Sequence, residues 1–225
     1  MSAINYEVLR WGPCLVKTKI TEEWRQLFLS EARASKKDFE SRLAGMLKRQ
    51  VEFRDSSLFD KFFSDMFKMY DHALQDWTGD RNIIAGGGEM YNLESLWANF
   101  QGPGDFNPPH SHGGALSWVI YLQIPDELTE ENKQYKGTSA GPGGITFSYG
   151  DGPREVITYQ TFLPQTGDMY IFPAWLQHWV YPFKSNVERI SEERLRRVRD
   201  REINLDQAVA EQDQENQKLA WEEGK

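Results

Sequence analysis

Two different spacings of apolar residues divide the chain into a helical part and a strand-rich part. Between residues 21 and 80 apolar side chains recur every three or four positions, which is typical of amphipathic helices. The segments 22–50 and 58–77 show this spacing. Thr21 precedes the first of them and two glutamates follow it, so Thr21 is predicted to be an N-cap with acids in the first turn. We therefore expect two or three helices here.

The apolar spacing changes to two after the glycine-rich stretch near residue 88, which indicates a series of short strands. An earlier strand is predicted at 13–20, before the helices. Glycine, proline and aspartate separate the later strands, and such a series favours a barrel or a sandwich. The later strands are predicted at about 89–101, 110–125, 143–149, 155–163, 168–173, 176–182 and 187–191.

These patterns predict one domain over residues 1–191, with helical support at 21–80 and a β-barrel core at 88–191. The segment 192–225 is highly charged and rich in glutamine, so we expect a solvated helix or a partly disordered tail there. The segment 126–144 is expected to be a long polar loop. A lid and a passive surface excursion are both open for it.

Composition excludes some classes of partner. The formal net charge of −8 disfavours a phosphate-binding surface, so no nucleic-acid partner is expected. No apolar run approaches the roughly 20 residues that a membrane-spanning helix needs, so no membrane partner is expected. The single cysteine cannot form an internal disulfide, which agrees with a cytoplasmic location.

Three of the four histidines form the main candidate site. His110 and His112 lie two residues apart in a strand-like run, where both side chains point to one face. The same parity continues through residues 116–122, so that face is expected to be interior. His178 begins a later strand-like run, and three neutral imidazoles suit Fe, Zn, Cu or Ni. His72 lies in a predicted helix without an obvious partner and is expected to be structural.

Arg189 and Ser191 share one face of the last predicted strand. A guanidinium group and a hydroxyl group in that arrangement are suited to hold one carboxylate. The alternative is that Arg189 only begins the basic segment that continues with Arg194, Arg196 and Arg197.

The ordered motifs "NPPHSHGGALSWVIYLQIP", "GGITFSYGD", "GDMYIFPAWLQHWVYPF" and "VERIS" resemble those of Fe(II)- and 2-oxoglutarate-dependent oxygenases. They are most similar to a largely uncharacterised bacterial and phage branch with the motif His-x-His, then His, then Arg-Ile-Ser. The resemblance covers roughly residues 88–191. It implies a mainly β fold with flanking helices: a double-stranded β-helix, or cupin-like jelly-roll barrel, preceded by N-terminal helices.

The resemblance also implies roles for individual residues. His110, His112 and His178 would bind Fe(II), and Arg189 with Ser191 would hold the distal carboxylate of 2-oxoglutarate. Asn99 and Tyr121 are further candidate contacts of the cosubstrate. Aromatic residues near the motifs are candidates for a substrate wall, although such residues more often belong to the core. These aromatic candidates are Trp97, Trp118 and Trp179.

The implied activity is that of a 2-oxoglutarate-dependent dioxygenase of the hydroxylase type. Such an enzyme uses molecular oxygen to oxidise its substrate and decarboxylates 2-oxoglutarate to succinate. The substrate is open between a peptide or protein and a small molecule, with a slight preference for a peptide because related folds often modify prolyl residues.

Two departures from the family pattern affect these expectations. Most members carry a carboxylate where this chain has His112, so three neutral ligands would leave Fe(II) with a higher net positive charge. His112 standing off the metal is the alternative. After Ser191 the usual apolar strand gives way to a charged sequence, so the closing strand is expected to be short.

Two other classes of function stay open on the sequence alone. One is a cupin-like three-histidine metalloenzyme that does not use 2-oxoglutarate. The other is a non-catalytic barrel that acts as a binding module and reaches a partner through its charged tail. The tail at 192–225 is also a candidate for pairing two copies in a homo-oligomer.

Overall fold

The computed structural model describes residues 4–10, 12–39, 44–53, 55, 57–85, 91–139, 141–150 and 158–198. Within these ranges the chain forms twelve strands, three α-helices and a short 3-10 helix at Ser57–Phe59. The strands are β1 (Tyr6–Arg10), β2 (Cys14–Lys19), β3 (Lys37–Asp38), β4 (Arg49–Glu52), β5 (Tyr91–Gln101), β6 (Asn107–His110), β7 (Leu116–Gln123), β8 (Ile145–Ser148), β9 (Tyr159–Phe162), β10 (Asp168–Pro173), β11 (Gln177–Val180) and β12 (Arg189–Val198). The helices are α1 (Glu22–Ala34), α2 (Asp60–Thr78) and α3 (Asp126–Gln134).

The two long helices begin and end where local chemistry favours it. Thr21 is extended, and its side-chain oxygen accepts a hydrogen bond from the backbone N–H of Trp24 at 3.3 Å, which confirms the predicted N-cap of α1. Helix α2 ends at Gly79, whose φ of 73° is the left-handed conformation that glycine adopts at little cost.

The helical spacing of apolar residues predicts a longer first helical region than the structure has. Helix α1 ends at Ala34, and β3 and β4 follow within the segment that was predicted to be helical up to residue 50. Strand β4 pairs with β5, which places Val51 opposite Ala98 and buries it. Pairing with the sheet satisfies the backbone polar groups and outweighs a weak local helical preference.

The strands form two antiparallel sheets. The major sheet has eight strands in the order β1-β2-β10-β7-β12-β5-β4-β3. The minor sheet has four strands in the order β6-β11-β8-β9. From β5 onward the chain crosses repeatedly between the two sheets, as in a jelly roll: β5, β7, β10 and β12 belong to the major sheet, and β6, β8, β9 and β11 to the minor sheet. The predicted fold class, a mainly β jelly-roll barrel with helices before it, is confirmed.

Each face of the major sheet packs against a separate apolar layer. On the outer face Trp118 and Ile120 of β7 belong to one apolar cluster with residues of α1 and α2, and the Trp118 ring lies against Phe63 of α2. On the inner face Val119 of β7 packs with Phe147 of the minor sheet and Phe172 of β10. This alternation follows from the period of two in a strand, and the inner layer is the interior of the barrel.

The predicted parity between the histidines and β7 is wrong. The even-numbered residues 116–122 face the helices and not the barrel interior. His110 belongs to the minor sheet and β7 to the major sheet, and residues 111–115 between them are in no strand. A chain that crosses between sheets does not carry its side-chain parity through the crossing.

The closing strand is longer than predicted. Strand β12 has ten residues and runs between β7 and β5 near the centre of the major sheet. The prediction of a helical or disordered tail is therefore wrong for residues 192–198. The charged residues of this segment predict exposure to solvent, but Glu192 and Glu193 are buried, at 0% and 7% exposed. Residues 199–225 lie outside the described residues, so the expected tail structure and oligomer contact stay predictions.

The segment after β7 is also more ordered than a continuous loop. Its first nine residues form α3, and the Glu131 carboxylate accepts hydrogen bonds from the backbone N–H groups of Lys184 at 2.9 Å and Ser185 at 2.7 Å. Helix α3 is thereby fixed to the segment that leads into β12. A lid role for this region stays a prediction.

Every helix in the described ranges is too short or too polar to span a bilayer.

Candidate metal centre

Two strands of the minor sheet and the crossing that follows β6 bring three histidines together. His110 ends β6 and is the direct pairing partner of His178 in β11. The backbone N–H of His112 donates to the carbonyl oxygen of Ala174 at 2.8 Å, which fixes the crossing beside the turn before β11. The ligand nitrogens of the three residues all lie within 4.8 Å of one another. The structure therefore places the three predicted histidines where one ion can reach all of them.

Hydrogen bonds to the backbone orient two of the imidazole rings. Nδ1 of His110 lies 2.7 Å from the carbonyl oxygen of Pro108, and Nδ1 of His178 lies 2.9 Å from that of Leu176. A carbonyl oxygen can only accept, so each Nδ1 carries the proton and each Nε2 keeps a free lone pair. This is the arrangement by which proteins orient histidine ligands.

Burial keeps the three rings neutral. It lowers the pKa of His110, and it lowers the pKa of His178 well below its ordinary value. Burial and, to a smaller extent, the neighbouring His110 lower the pKa of His112 to about 4. At neutral pH all three imidazoles therefore have the uncharged form that binds a metal ion.

The lowered histidine pKa values predict a pH-dependent stability of the metal-free protein. As the pH drops below about 6.5, the histidines of the unfolded chain bind protons before those of the folded protein do. The free energy of unfolding of the metal-free protein therefore falls. At about pH 5.5 the lowered pKa of His112 reduces the free energy of unfolding by about 1.4 kcal/mol. Urea denaturation at about pH 7.5 and 5.5 measures the loss.

The variant His112→Asn isolates this effect from other titrating groups. Its loss of stability between the two pH values should be about 1 kcal/mol smaller than that of the wild type. Burial raises the pKa of Glu193 to about 7 and has the opposite effect on stability, but both proteins retain that group. An equal loss in the two proteins would contradict the prediction.

A candidate anion site lies on the inner face of the major sheet. Arg189 is 2% exposed, and its guanidinium carbon lies 5.2 Å from the ring centre of Tyr121. One terminal nitrogen donates to the carbonyl oxygen of Gly143 at 3.1 Å. Ser191 is paired with both Tyr121 and Asn99, so the three side chains share this face.

The donors around Arg189 fit a carboxylate. The ion pairs formed within the described ranges do not include Arg189, although burial of a cation without an anion is unfavourable. Its Nε and the hydroxyl groups of Tyr121 and Tyr170 are buried without a hydrogen-bond partner in the described part of the chain. Burial raises the pKa of both tyrosines, so their hydroxyl groups stay protonated donors. A bound carboxylate could accept hydrogen bonds from Arg189 and from the hydroxyl group of the neighbouring Tyr121.

The remaining predicted site residues, Asn99, Trp97 and Trp179, lie in three different surroundings. Asn99 is fully buried, but its side-chain oxygen accepts a hydrogen bond from Gln50 at 2.7 Å, so it lies in a polar cluster beside the anion site. Trp97 is buried and its ring centre lies 5.9 Å from that of His112, which keeps it a candidate for the substrate wall. Trp179 alternates with His178 and lies on the outer face of the minor sheet.

The structure contradicts the proposed substrate role of Trp118. Its ring lies in the helix–sheet core, with ring centres 4.6 Å from Phe63 and 5.4 Å from Phe67. Replacing Trp118 with alanine is expected to lower the free energy of unfolding by about 3–5 kcal/mol, because a fully buried aromatic side chain leaves a cavity. Iron affinity of the folded fraction should be unchanged in an anaerobic titration. A variant of full stability and altered cosubstrate binding would contradict this placement.

Sequence reasoning missed four residues near the two sites. Tyr170 has its unpartnered hydroxyl in the inner layer, and three polar residues line a cavity beside the histidines. Glu193 of this cavity continues the parity of Arg189 and Ser191, so extending the last strand by two residues would have found it. Asn107 lies in the same motif as His110, three residues before it, whereas Gln50 comes from a distant segment and no local signal marks it. The three cavity residues are Gln50, Asn107 and Glu193.

Residues 95–192 match a sequence-family model described as "Putative 2OG-Fe(II) oxygenase". The resemblance to the Fe(II)- and 2-oxoglutarate-dependent oxygenases is confirmed. Iron(II) is the metal of such an oxygenase, and 2-oxoglutarate and molecular oxygen are its cosubstrates. The match includes the three histidines, Arg189 and Ser191. A comparison with curated proteins found no significant match.

Solved structures of oxygenases have a similar fold. A prolyl-4-hydroxylase from Pseudomonas putida is 14% identical with a TM-score of 0.51, over 83% of this chain and 94% of that chain. The structure described as OsALKBH1 is 13% identical with a TM-score of 0.53, over 86% of this chain and 100% of that chain. At such low identity these similarities concern the fold of the oxygenase and not its substrate.

Proposed function

We propose that this 2-oxoglutarate oxygenase hydroxylates its substrate, with His110, His112 and His178 as the iron ligands. Arg189 and Ser191 would hold the distal carboxylate of 2-oxoglutarate. The observation that carries this proposal is the pairing of two complementary sites. Three neutral imidazoles lie within bonding reach of one ion, and the buried Arg189 is not part of any close ion pair formed within the described ranges.

Each side chain has a defined task in this proposal. The backbone carbonyls of Pro108 and Leu176 hold the imidazoles of His110 and His178 with Nε2 free. Arg189 supplies the positive charge for the cosubstrate, and Tyr121 and Tyr170 supply further donors. The apolar inner layer excludes water from the reacting centre. When bound, iron(II) with 2-oxoglutarate supplies the activation of oxygen and the oxidation of a substrate C–H bond.

The arrangement also disfavours the two other classes of function. An enzyme that does not bind 2-oxoglutarate would not need a buried arginine to hold a carboxylate. A binding module that holds no metal would not need three converging neutral imidazoles. The family match over residues 95–192 supports the same choice. Neither a peptide nor a small-molecule substrate is favoured by the comparisons.

Two measurements on the wild-type protein test the proposal. Anaerobic addition of iron(II) and 2-oxoglutarate should produce the weak visible absorption of the chelate at one iron per chain. In air the same sample should form succinate even without its substrate, at a slow uncoupled rate. A folded protein that binds iron but shows neither signal would reject the assignment.

His112 offers a separate test of the unusual ligand set. The variant His112→Asp restores the carboxylate that most members of the superfamily have at this position. Because a carboxylate neutralises part of the metal's charge, we expect the variant to bind iron(II) about tenfold more tightly. Anaerobic competition with a chelator measures the affinity. If His112 does not ligate, His112→Asn should retain the wild-type affinity, whereas His110→Asn should not.

A further inference from the structure

A small polar cavity lies beside the histidines, and polar residues of β4 and β12 form part of its lining. Its volume is about 170 Å³, and its lining includes His110 and His112 together with Gln50, Trp97, Asn107 and Glu193. Sites for whole drug-sized ligands usually occupy roughly 300–1,000 Å³. This cavity is therefore of a size to accept one functional group of a larger substrate.

Glu193 gives the cavity its charge. It is 7% exposed, and the ion pairs of the described ranges do not include it. Asn107 donates a hydrogen bond to its Oε1 at 3.5 Å, which is a weak contact for a carboxylate. Burial raises the pKa of Glu193 to about 7, although the charge of Arg189 and a contact with the side chain of Asn99 both oppose this rise. The buried carboxylate is therefore only partly compensated, and a ligand that supplies a positively charged partner would stabilise it.

The neighbouring amides add acceptors. The side-chain nitrogen of Gln50 donates to Asn99 at 2.7 Å, and the nitrogen of Asn107 is directed at Glu193. The amide oxygens of Gln50 and Asn107 consequently remain acceptors, and both are buried without a partner in the described ranges. A group with several N–H donors would satisfy the carboxylate and the amide oxygens together.

Two further features favour a positively charged group. Trp97 provides an aromatic wall of the cavity, and the face of a tryptophan ring attracts cations. The chain carries a formal net charge of −8, which raises the local concentration of cationic molecules.

We propose that this cavity is the substrate subsite of the oxygenase for a guanidinium or ammonium group, with Glu193 as the residue that determines this specificity. The proposal rests on the proposed function, because it takes the histidines as the reacting centre. Arg189 and Glu193 lie on one face of β12 and four residues, roughly 13 Å, apart along the strand. In this proposal the anionic cosubstrate binds near Arg189, and the cationic group of the substrate binds near Glu193.

A pair of matched probes tests this subsite. Butylguanidinium and butylurea have similar shapes, but only the first is charged. Each is titrated into anaerobic protein loaded with iron(II) and 2-oxoglutarate, and binding is followed by the change in the chelate absorption and by ligand-observed NMR. The wild type is expected to bind butylguanidinium at least about tenfold more tightly than butylurea, because a desolvated charge pair contributes that much or more.

Variants assign the preference to Glu193. Glu193→Gln keeps the side-chain shape and should reduce the preference to within about threefold, while Glu193→Asp should retain part of it. Glu188→Gln removes the same charge from an exposed position just before β12 and should leave the preference unchanged. Thermal melting of each variant shows whether it is folded.

The outcomes separate this inference from the proposed function. A chelate signal without a preference for the cation, or with a preference that survives Glu193→Gln, overturns the subsite but leaves the oxygenase assignment intact. Weakened iron binding in Glu193→Gln with an intact preference also overturns it, because the carboxylate would then serve the metal. Absence of the chelate signal in the folded wild type rejects both.

Discussion

Replacing His178 with alanine is expected to abolish stoichiometric iron(II) binding and the visible absorption of the 2-oxoglutarate chelate. His178 is the most buried of the three histidines, and its position opposite His110 is fixed by the pairing of β11 with β6. Its ring packs against Phe147 and Phe172, with ring centres 6.0 and 4.8 Å away, and these apolar side chains offer no replacement ligand. We expect the iron(II) affinity to fall by more than about 100-fold, because losing only a supporting contact of a ligand already costs 10–100-fold.

The measurement is anaerobic iron titration with elemental analysis after desalting. His72→Ala is the matched control, since His72 is exposed on α2 and far from the cluster in the sequence. That variant should bind one iron per chain as the wild type does. If His178→Ala is folded by circular dichroism and still binds one iron per chain, the three-histidine centre is wrong.

Replacing Arg189 with glutamine should weaken the binding of 2-oxoglutarate by about 100-fold or more. The guanidinium is buried, the ion pairs of the described ranges do not include it, and it has an unpartnered Nε, so its charge is available to the cosubstrate. Removing one partner of a desolvated charge pair typically costs 2–5 kcal/mol or more. Iron(II) affinity should change by less than about threefold, because Arg189 is not among the three clustered histidines.

Titration of 2-oxoglutarate into anaerobic iron-loaded protein measures this affinity. Arg33→Gln removes the same charge from an exposed arginine of α1 and should leave the affinity unchanged. Arg189→Lys keeps the charge but loses the planar group, and an intermediate affinity is expected. An unchanged affinity in Arg189→Gln would show that Arg189 does not hold the cosubstrate, whereas the absence of 2-oxoglutarate binding in the wild type would support the three-histidine metalloenzyme that does not use it.

The two sites depend on different kinds of information. The histidines could be predicted because the His-x-His spacing, the third histidine after the Phe-Pro turn and the chemistry of imidazole are local features, although His112 lies beyond the end of β6 and not in a strand. Arg189 and Ser191 were predictable for the same reason, since alternation on one strand places them together. Glu193 follows the same alternation, but the run of charged residues after Ser191 predicts a solvent-exposed segment, so the sequence does not indicate that Glu193 is buried.

The sequence by itself determined the series of strands, the long helix near residue 70 and the identity of the candidate ligands, because period and residue chemistry are local properties. Only the tertiary structure decided which face of each strand is interior. It placed Trp118 against the helices, drew β4 out of an apparent helix and set a charged segment in the centre of the major sheet. These outcomes depend on strand pairing between distant segments and on the crossing of the chain between sheets. Such long-range contacts outweigh local preference when they satisfy backbone hydrogen bonds and bury apolar surface.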